Sequence, residues 1–413
     1  MSTTNGYYAS PIKTRLSNNE PIPKGWRWVD LQEVARLESG HTPSRKIPEY
    51  WMDGDVPWLS LKDIRGMKSR YVEDTIDKPT MLGIDNSSAR MLPKGTVAFC
   101  RTASVGNVAI LGREMATSQD FVDWVCGPNL LPEYLYEAFK ASGPTFASEM
   151  QGSTHQTIYM PTVKRFKVLL PPLSEQKRIA NILDKADAIR RKRQEASLMF
   201  ATCIPSLFSE MFGFVVTNTK NWPVVPFGDA CESRLGKMLD AKQQTGKHLR
   251  PYLRNTNVQW NRFSLGEVSE MDFNGADQEE FRLLNGDLLV CEGGEVGRAA
   301  IWRDELTECY FQKALHRVRP KPDMAVPEYV LHFLWQTGRS GGFGFLTSQA
   351  TIAHLTGVKL KQLPLPLPPI ALQKEFAARV SELERRKEKY ADAEREADNL
   401  FNSLIQRAFK GEL

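Results

Sequence analysis

The sequence predicts an α+β fold: two mixed α/β domains related by internal duplication, joined by two long helices that form an antiparallel coiled coil. Three observations support this prediction. They are a gap-free internal repeat, β-rich runs alternating with helical patches in each copy, and a change to helical periodicity after each copy. The chain has 413 residues, which is too long for one hydrophobic core, so we expect two or three domains.

The repeat is clearest where residues 92–111 align with residues 283–302 at a constant offset of 191. Seven of the twenty aligned positions are identical: Leu92/Leu283, Gly95/Gly286, Cys100/Cys291, Val105/Val296, Gly106/Gly297, Ala109/Ala300 and Ile110/Ile301. Pro-Glu-Tyr at 132–134 returns at 327–329, and PPLSEQK at 171–177 returns as PPIALQK at 368–374. Nearly half of the chain is therefore duplicated.

Each copy contains short β-rich runs that follow a glycine turn, such as 96–100 and 287–291, and helical patches such as 133–140. After each Pro-Pro pair the apolar residues recur with a helical period, and Ser174 is the predicted N-cap of the first helix. The two apolar stripes are Ile179, Leu183, Ala186, Ala196, Phe200, Cys203, Leu207 and Met211, and Phe376, Val380, Leu383, Ala393, Ala397, Leu400, Leu404 and Ala408.

Each predicted helix spans ~35–40 residues, or ~55–60 Å. Helices of this length with one narrow apolar stripe and charged flanks favour pairing in a coiled coil. Because they belong to duplicated halves, an approximate twofold axis would make them antiparallel. The predicted organisation is an N-terminal tail (1–24), a first domain (25–172), a central helix (173–213), a second domain (214–369) and a C-terminal helix (370–413).

Several protein classes are disfavoured. No stretch approaches ~18 uninterrupted apolar residues, and the polar residues 1–19 lack the apolar core of a signal peptide, so we expect a cytoplasmic protein with no membrane partner. The six cysteines are scattered without a Cys-x-x-Cys pair. This distribution predicts reduced thiols and neither a disulfide framework nor a zinc cluster.

The sequence also lacks the common catalytic motifs. It contains no phosphate-binding loop with Gly-Lys-Ser/Thr, no Gly-x-Gly-x-x-Gly after a strand and no His-Glu-x-x-His. Residues 338–342 match Gly-x-Ser-x-Gly, but the preceding segment 329–336 reads as a helix and the first copy has no serine at the matching place, so a flexible glycine-rich loop is predicted. We therefore predict no catalytic, cofactor-binding or metal-binding residues in this chain.

Basic residues are concentrated in two places. Seven Lys and Arg residues between Arg234 and Arg262 face a single acid, Asp240, although the whole chain carries a net charge of only +5. A smaller cluster in the first copy comprises Lys62, Arg65, Lys68 and Arg70. Such clusters fit either a solvated basic face or contact with nucleic acid.

Polar loops at equivalent places in the two copies favour nucleic-acid contact. Reading bases requires hydrogen-bond donors and acceptors on loops, with Arg or Lys for guanine and Asn or Gln for adenine. Residues 101–107 and 292–298 share Val-Gly but differ at their tips, which fits two readers of different sequences, although ordinary drift after duplication is an alternative. Polar segments also occur at 152–157 and 347–351, and the basic segment of the second copy continues into 254–259.

The candidate DNA-binding residues are taken from these segments. In the first copy they are Lys62, Arg65, Lys68, Arg70, Arg101, Thr102, Ser104, Asn107, Ser153, Thr154, His155 and Gln156. In the second copy they are Lys237, Arg250, Arg254, Asn255, Asn257, Gln259, Arg298, Ser348 and Gln349. Arg101, Arg254 and Asn257 are the strongest candidates for sequence readers or close supports.

With these features together, the chain resembles the specificity subunit of type I restriction-modification enzymes. The resemblance rests on Ile-Pro-Lys-Gly-Trp at 22–26, the paired Leu-Pro-Lys-Gly and Leu-Leu-Asn-Gly segments with their Val-Gly strands, and the two Pro-Pro-(Leu/Ile)-x-x-Gln-Lys helix starts. It spans nearly the whole chain. The second helix start has Ala371-Leu372 where the first has Ser174-Glu175, so the predicted capping serine is absent there.

The resemblance implies that each domain reads half of a split double-stranded DNA site. It also implies that the helices dock two methyltransferase subunits and, through them, restriction/translocase subunits. S-adenosylmethionine, ATP and Mg²⁺ would then be used by those partners and not by this chain. Two alternatives stay open at this point: an autonomous DNA-modifying enzyme, and a coiled-coil scaffold without DNA specificity.

Arg193 interrupts the stripe of the first helix and Lys387 that of the second, and Arg193 ends the basic run Arg190-Arg191-Lys192-Arg193. It suits either a solvated coiled-coil face, which we favour, or contact with phosphate.

Overall fold

The computed structural model describes residues 10–16, 22–65, 67, 69–152, 156–239, 244–344 and 354–413. The chain divides into two compact units, Met1–Gln194 with Ala393–Leu413, and Glu195–Asp392. Each unit contains one copy of the repeat and half of each long helix. The boundaries 25–172 and 214–369, which separate the domains from the helices, therefore remain a prediction.

Unit 1 contains ten strands and six short helices among its described residues, followed by the first long helix, α7. The strands are β1 (Ile12–Lys13), β2 (Arg27–Asp30), β3 (Ala35–Ser39), β4 (Trp58–Leu59), β5 (Tyr71–Val72), β6 (Val97–Cys100), β7 (Val108–Leu111), β8 (Ala116–Thr117), β9 (Phe121–Cys126) and β10 (Lys167–Leu170). The helices are α1 (Leu31–Val34), α2 (Leu61–Ile64), α3 (Met81–Asp85), α4 (Pro132–Ala141), α5 (Gly143–Glu149), α6 (Met160–Val163) and α7 (Leu173–Phe212).

Unit 2 repeats only part of this order, because five described strands lie between its first two short α-helices and its described residues contain fewer short α-helices. Its strands are β11 (Val224–Pro226), β12 (Cys231–Leu235), β13 (Leu249–Leu253), β14 (Val258–Gln259), β15 (Arg262–Phe263), β16 (Ser269–Asp272), β17 (Leu288–Cys291), β18 (Ala299–Ile301), β19 (Tyr310–Phe311), β20 (Leu315–Pro320) and β21 (Pro364–Pro366). Its helices are α8 (Phe227–Ala230), α9 (Gly275–Phe281), α10 (Pro327–Arg339), α11 (Gly357–Gln362) and α12 (Ile370–Lys410).

The same four-stranded antiparallel sheet forms the centre of both copies. Its order is β3-β9-β6-β7 in unit 1, where β5 adds a parallel edge strand, and β12-β20-β17-β18 in unit 2. The register is also equivalent, because Val97 lies opposite Trp124 and its counterpart Leu288 lies opposite Val318. The duplication predicted from the sequence is thus present in the strand pairing.

The small sheet that precedes each long helix differs between the copies. In unit 1 the order is β1-β10-β2, and the N–H of Leu169 donates over 2.9 Å to the carbonyl of Pro11, which directly precedes β1. In unit 2, β11 is the one described strand that pairs with β21. Pro366 occupies the place of Leu169, since each accepts a hydrogen bond from the tyrosine of its copy, Tyr134 or Tyr329. A proline has no N–H to donate, which explains why β21 holds no third strand.

The two long helices run antiparallel, as predicted, because the start of each packs beside the end of the other. In unit 1, Ile179 and Leu183 of α7 share a buried core with Ile405 of α12. In unit 2, the ring of Phe208 near the end of α7 lies 5.5 Å from that of Phe376 near the start of α12. The helices have 40 and 41 residues, and each is therefore ~60 Å long.

The predicted apolar stripe holds at the end of α12, where Leu404 and Ala408 join the core, but it is wrong at Leu400, which is 54% exposed. At the end of α7 the stripe is incomplete, because Phe208 and Phe212 are buried and the predicted Leu207 and Met211 pack half-buried against the same core. The predicted cap was also wrong. The helix begins at Leu173, and the N–H groups of Glu175 and Gln176 donate to the carbonyl of Pro172, so Ser174 lies inside the first turn. The second helix starts in the same way on Pro369, which explains why it needs no serine.

Candidate nucleic-acid interface

The loop that follows β6 is closed by three backbone hydrogen bonds. Cys100 N–H donates to Asn107 over 2.8 Å, Gly106 N–H donates to Cys100 over 3.1 Å, and Asn107 N–H donates to Ser104 over 3.2 Å. The equivalent loop after β17 has the same three bonds: Cys291 to Arg298 over 2.8 Å, Gly297 to Cys291 over 3.1 Å, and Arg298 to Glu295 over 3.2 Å. The two loops therefore share a backbone frame.

A glycine at the same place makes this frame possible. Gly106 and Gly297 have φ angles of +89° and +78°, a region that favours glycine. A Cβ on Gly106 would lie 3.7 Å from the ring of Phe146, and one on Gly297 would lie 2.3 Å from the ring of Phe343. The tips differ, because Arg101, Ser104 and Asn107 of copy one correspond to Glu292, Glu295 and Arg298 of copy two.

In unit 1 the second polar segment lies directly against this loop. Ala103 N–H donates to Gln156 over 3.2 Å, and Ile158 N–H donates to Arg101 over 2.9 Å. Thr102 also pairs with Thr157 in an isolated bridge. Two predicted segments about fifty residues apart in sequence are thus adjacent in space. Ser153, Thr154 and His155 lie outside the described residues.

Arg101 is held at the edge of this surface. Its guanidinium donates to the carbonyl of Gln119 over 3.3 Å, and its Nε is buried without a partner among the described residues. Asn107 and Gln156 are exposed, and Thr102 and Ser104 are half-buried. The arrangement presents a basic group and several amide or hydroxyl groups on one loop pair.

The basic cluster at residues 62–70 divides between two environments. Lys62 is exposed and lies 3.0 Å from the carboxylate of Asp77, and Arg65 is exposed. Arg70 instead has a side chain only 10% exposed, paired with Asp184 on α7 and with Glu137 over 3.7 Å. The structure thus places Arg70 against two carboxylates and not on an accessible surface. Lys68 lies outside the described residues.

Glu137 of this network is itself unusual. It is buried, and burial raises its pKa to about 7 even though Arg70 lowers it. The neighbouring Tyr71 hydroxyl donates to Glu133 over 2.5 Å, and burial together with that carboxylate raises the pKa of Tyr71 to about 12. Arg70 therefore belongs to a network that ties the first domain to its helix.

In unit 2 two predicted segments, 254–259 and the loop at 292–298, lie against each other. Arg298 donates to the Oδ1 of Asn255 over 2.7 Å, and Asn255 Nδ2 donates to the carbonyl of Gly293 over 2.8 Å. Leu355 N–H, which follows the polar segment 347–351 in the sequence, donates to Glu292 over 2.7 Å. Ser348 and Gln349 lie outside the described residues.

Arg254 is the basic group of this surface whose guanidinium forms no hydrogen bond or ion pair with the rest of the described chain. It is half-buried, and its Nε is buried without a partner. Arg250 is 36% exposed and pairs with Glu308 over 3.3 Å. Gln259 is half-buried and donates to Thr256 over 3.2 Å. The Arg254 guanidinium is thus not engaged by other described groups.

Two predicted contacts of the second copy are internal supports in the structure. Asn257 is 4% exposed; its amide donates to Ser264 and Glu267, and its oxygen accepts from the N–H of Arg254. The Lys237 side chain is 13% exposed, and its Nζ donates to the carbonyl of Asp272 and to Asp277. Both side chains are committed inside the domain, so neither presents a free donor.

Sequence reasoning missed Asp272, which organises the basic loop at residues 245–248. Its carboxylate accepts from the N–H groups of Thr245, Gly246 and His248 and from the Thr245 hydroxyl. Burial alone would raise its pKa, but these hydrogen bonds outweigh it and hold the pKa at about 2. The signal in the sequence is weak, since one aspartate at a strand end carries no motif.

The structure also locates the Gly-x-Ser-x-Gly match at residues 338–342. Ser340 of the Gly-x-Ser-x-Gly match is the C-cap of α10, with its N–H donating to Gln336, and not a strand-to-helix elbow. Among the described residues, no three His, Cys, Asp or Glu side chains group as metal ligands, and no helix is long and apolar enough to cross a membrane. Burial raises the pKa of Cys100 and Cys291 to about 11.

Known proteins share both the sequence and the fold. The family described as type I restriction modification DNA specificity domain matches residues 23–197 and again residues 219–395. The specificity subunit of the Escherichia coli type I restriction enzyme EcoBI is 23% identical over 97% of this chain and 89% of that subunit. The MjaIX specificity subunit of Methanocaldococcus jannaschii is 29% identical, over 46% of this chain and 44% of that subunit.

The match to the EcoR124I/EcoR124II specificity subunit of Escherichia coli is similarly partial, at 28% identity over 41% of its length. The chain thus spans less than half the length of these two relatives. A solved structure described as the structural basis of complex assembly and conformational transition of the type I R-M system has a TM-score of 0.61 and 20% identity, covering 96% of this chain and 100% of that chain.

The type I restriction-modification S subunit from M. genitalium gives a TM-score of 0.54 at 13% identity, over 95% of this chain and 98% of that one. These two likenesses concern the fold. The matched family model covers most of the chain in two copies, and the curated relatives are named specificity subunits. The chain therefore belongs to the type I restriction-modification DNA specificity family, as a specificity subunit with two target-recognition domains.

Proposed function

We propose that this chain reads a double-stranded DNA sequence in two parts, one with each copy, and that methyltransferase subunits dock along its two helices. The observation that carries the DNA part is the pair of loops after β6 and β17, which have the same backbone hydrogen bonds but different side chains at their tips. Two readers of different sequences need a shared frame with exchanged side chains, because the donors and acceptors at the tip select the base.

In the first copy the proposed base-reading surface is the loop pair formed by 101–107 and 151–157. Arg101 is suited to the acceptor edge of guanine, and Asn107 or Gln156 to adenine. Thr102 and Ser104 supply hydroxyl groups beside them. Lys62 and Arg65 are exposed and suit phosphate contact, since basic groups outside the reading loops position the duplex without selecting a sequence.

In the second copy Arg254 is the proposed principal reader, because its guanidinium keeps its donors free of other described groups. Arg298 and Asn255 hold each other beside it, and Gln259 extends the same surface. Arg250 suits phosphate contact. We do not include Lys237, Asn257 and Arg70 among the proposed DNA contacts, because their side chains support the fold internally.

Six residues outside the described part of the chain remain candidates by their position in the polar and basic segments. They are Lys68, Ser153, Thr154, His155, Ser348 and Gln349.

The helices support the docking part of the proposal. Four large apolar side chains on them are more than half exposed: Ile189 at 53%, Leu198 at 72%, Met199 at 70% and Leu400 at 54%. Contiguous exposed apolar surface typically marks a protein contact, and we infer that these side chains contribute to such a surface. We assign this surface to two methyltransferase subunits, with restriction/translocase subunits joining through them. S-adenosylmethionine, ATP and Mg²⁺ would serve those partners.

Selection from random duplexes tests the DNA part. The chain is purified with its methyltransferase subunit, and bound duplexes are sequenced after several rounds. The proposal expects two conserved blocks separated by a spacer of fixed length and free sequence. A single continuous block, or no enrichment in a complex that assembles normally, would contradict it, and the second result would favour a scaffold.

A second arm uses the chain without partners. It should neither bind S-adenosylmethionine nor modify duplex DNA, because the chemistry is assigned to the partners. Modification of DNA by the isolated chain would favour the autonomous enzyme instead.

A further inference from the structure

A buried glutamine occupies the fourth position of each long helix. Gln176 of α7 is 1% exposed and Gln373 of α12 is 0% exposed. The two residues belong to the repeated segments PPLSEQK and PPIALQK, and both stand three residues after the first helical residue. A side-chain amide has both a donor and an acceptor end, so a buried one needs partners at both.

Each glutamine finds the same three partners. Gln176 Oε1 accepts from the N–H of Leu131 over 2.9 Å, and its Nε2 donates to Asn129 over 3.0 Å and to Pro171 over 2.9 Å. Gln373 Oε1 accepts from the N–H of Val326 over 3.2 Å, and its Nε2 donates to Met324 over 3.0 Å and to Pro368 over 2.8 Å. The equivalent bonds arise independently in the two units.

The partners lie at one particular joint of the fold. Leu131 and Val326 are the N-cap residues of α4 and α10, and neither has a side-chain capping bond of its own. Pro171 and Pro368 open the Pro-Pro hinge between the domain and its helix. One amide therefore ties the domain helix, the hinge and the long helix together.

We propose that Gln176 and Gln373 are positioning residues that fix each recognition domain on the helix that follows it, and thereby the spacer length of the DNA site. This inference rests on the proposed reading of a two-part site. Without the three bonds, the Pro-Pro hinge and the shared apolar core would keep the domain and helix connected, while the loss of the fixed joint would allow them to pivot by a small angle.

Small pivots matter for a split site. A domain of ~150 residues has a radius of gyration of ~15 Å, so a rotation of ~13° moves its reading loops by ~3.4 Å. That distance is the rise of about one base pair. A loosened joint should therefore accept spacers one base pair shorter or longer while each domain still reads its own half-site.

The test compares duplexes that carry the selected half-sites with the native spacer or with one base pair removed or added. Gln176→Met and Gln373→Met keep the size of the side chain and remove the donors and acceptor. Ser174→Ala is the matched control, since Ser174 is exposed in the same first turn. All proteins are assayed as the complex with the methyltransferase subunit, and thermal melting checks folding.

The wild-type complex and the control should prefer the native spacer strongly. We compare the affinity for the native spacer with the affinity for an altered spacer. Each Gln→Met variant should lower this ratio at least about fivefold, because one misplaced base pair costs at least that factor in affinity. The base preference within each half-site should not change. An unchanged ratio, or equal loss on all three spacers, would overturn the inference. If Gln176→Met does not fold, the inference is tested with Gln373→Met and with Gln176→Glu, which keeps the hydrogen-bond acceptor and removes the donors. A wild-type complex that binds no split site would instead refute the proposed function.

Discussion

Replacing Arg254 with alanine separates base reading from structural support in the second copy. In the free protein its guanidinium bonds to no other described group, whereas its backbone N–H is held by Asn257. Truncating the side chain removes no hydrogen bond to another described residue. The change in the free energy of unfolding should therefore stay within about 0.5 kcal/mol, as for other substitutions away from buried networks.

The loss in DNA binding should be larger and selective. A guanidinium that reads a base contributes ~1–3 kcal/mol of discrimination, which corresponds to about 5- to 150-fold in affinity. The Arg254→Ala complex should lose this factor against the selected site and show little further loss when one base pair in the second half-site is changed. Changes in the first half-site should still cost their full amount, because separate positions act additively.

Arg250→Ala is the matched control. Arg250 is paired with Glu308 at the surface, and we assign it to phosphate. This variant should weaken binding to every duplex alike and reduce the slope of log affinity against log salt by about one. Affinities are measured by fluorescence anisotropy at several salt concentrations. A uniform loss in Arg254→Ala would demote Arg254 to a phosphate contact, and no loss would mean that the reading loop has been misassigned.

Four further outcomes are expected. Arg101→Ala should relax selectivity in the first half-site by ~1–3 kcal/mol, measured with the same single-base variants, and a loss in the second half-site would argue against this assignment. Asn257→Ala should lower the free energy of unfolding by at least ~1–3 kcal/mol in urea titrations, because it strands buried backbone groups; a neutral result would contradict the support role. Within 190–193, Arg190→Glu should lower the melting temperature, because the Arg190 guanidinium donates to Asp187 and lies 4.6 Å from the centre of the Phe401 ring. Reversing the charges of Lys192 and Arg193 should instead weaken co-purification with the methyltransferase and leave the melting temperature unchanged. Burial lowers the pKa of His332 to about 4, so up to ~3 kcal/mol of the free energy of unfolding should be present above pH 6.5 and be lost as pH falls toward 4. The free energy of unfolding should depend less on pH in His332→Met, and identical pH dependences of the two proteins would refute this prediction.

The duplication and the helices could be predicted because both depend on residues that are close together in the sequence. Residues 92–111 and 283–302 repeat without gaps, and the helical period after each Pro-Pro pair needs only neighbouring residues. The errors arose where packing chooses between adjacent side chains. Near the end of α7 the rings of Phe208 and Phe212 fill the core while Leu207 and Met211 pack half-buried at its side, because the larger side chains bury more apolar surface.

The availability of individual basic groups could not be predicted, because the partners that remove them from the surface are distant in sequence. Arg70 meets Asp184, and Lys237 meets Asp272 and Asp277. Local composition makes both residues look like members of an exposed cluster. The same reason hid the contact between Ala103 and Gln156, which only the folded chain brings together.

The most direct test of two-part recognition is the methylated motif of a domain-exchange protein. Residues 26–170 are replaced by the corresponding domain of a relative, the gene is expressed with the methyltransferase subunit, and the modified bases of the host genome are mapped by methylome sequencing. The account predicts a motif in which one half changes to that of the relative while the other half is retained. A motif with both halves changed, or with neither changed, would contradict the claim that each copy reads its own half of the site.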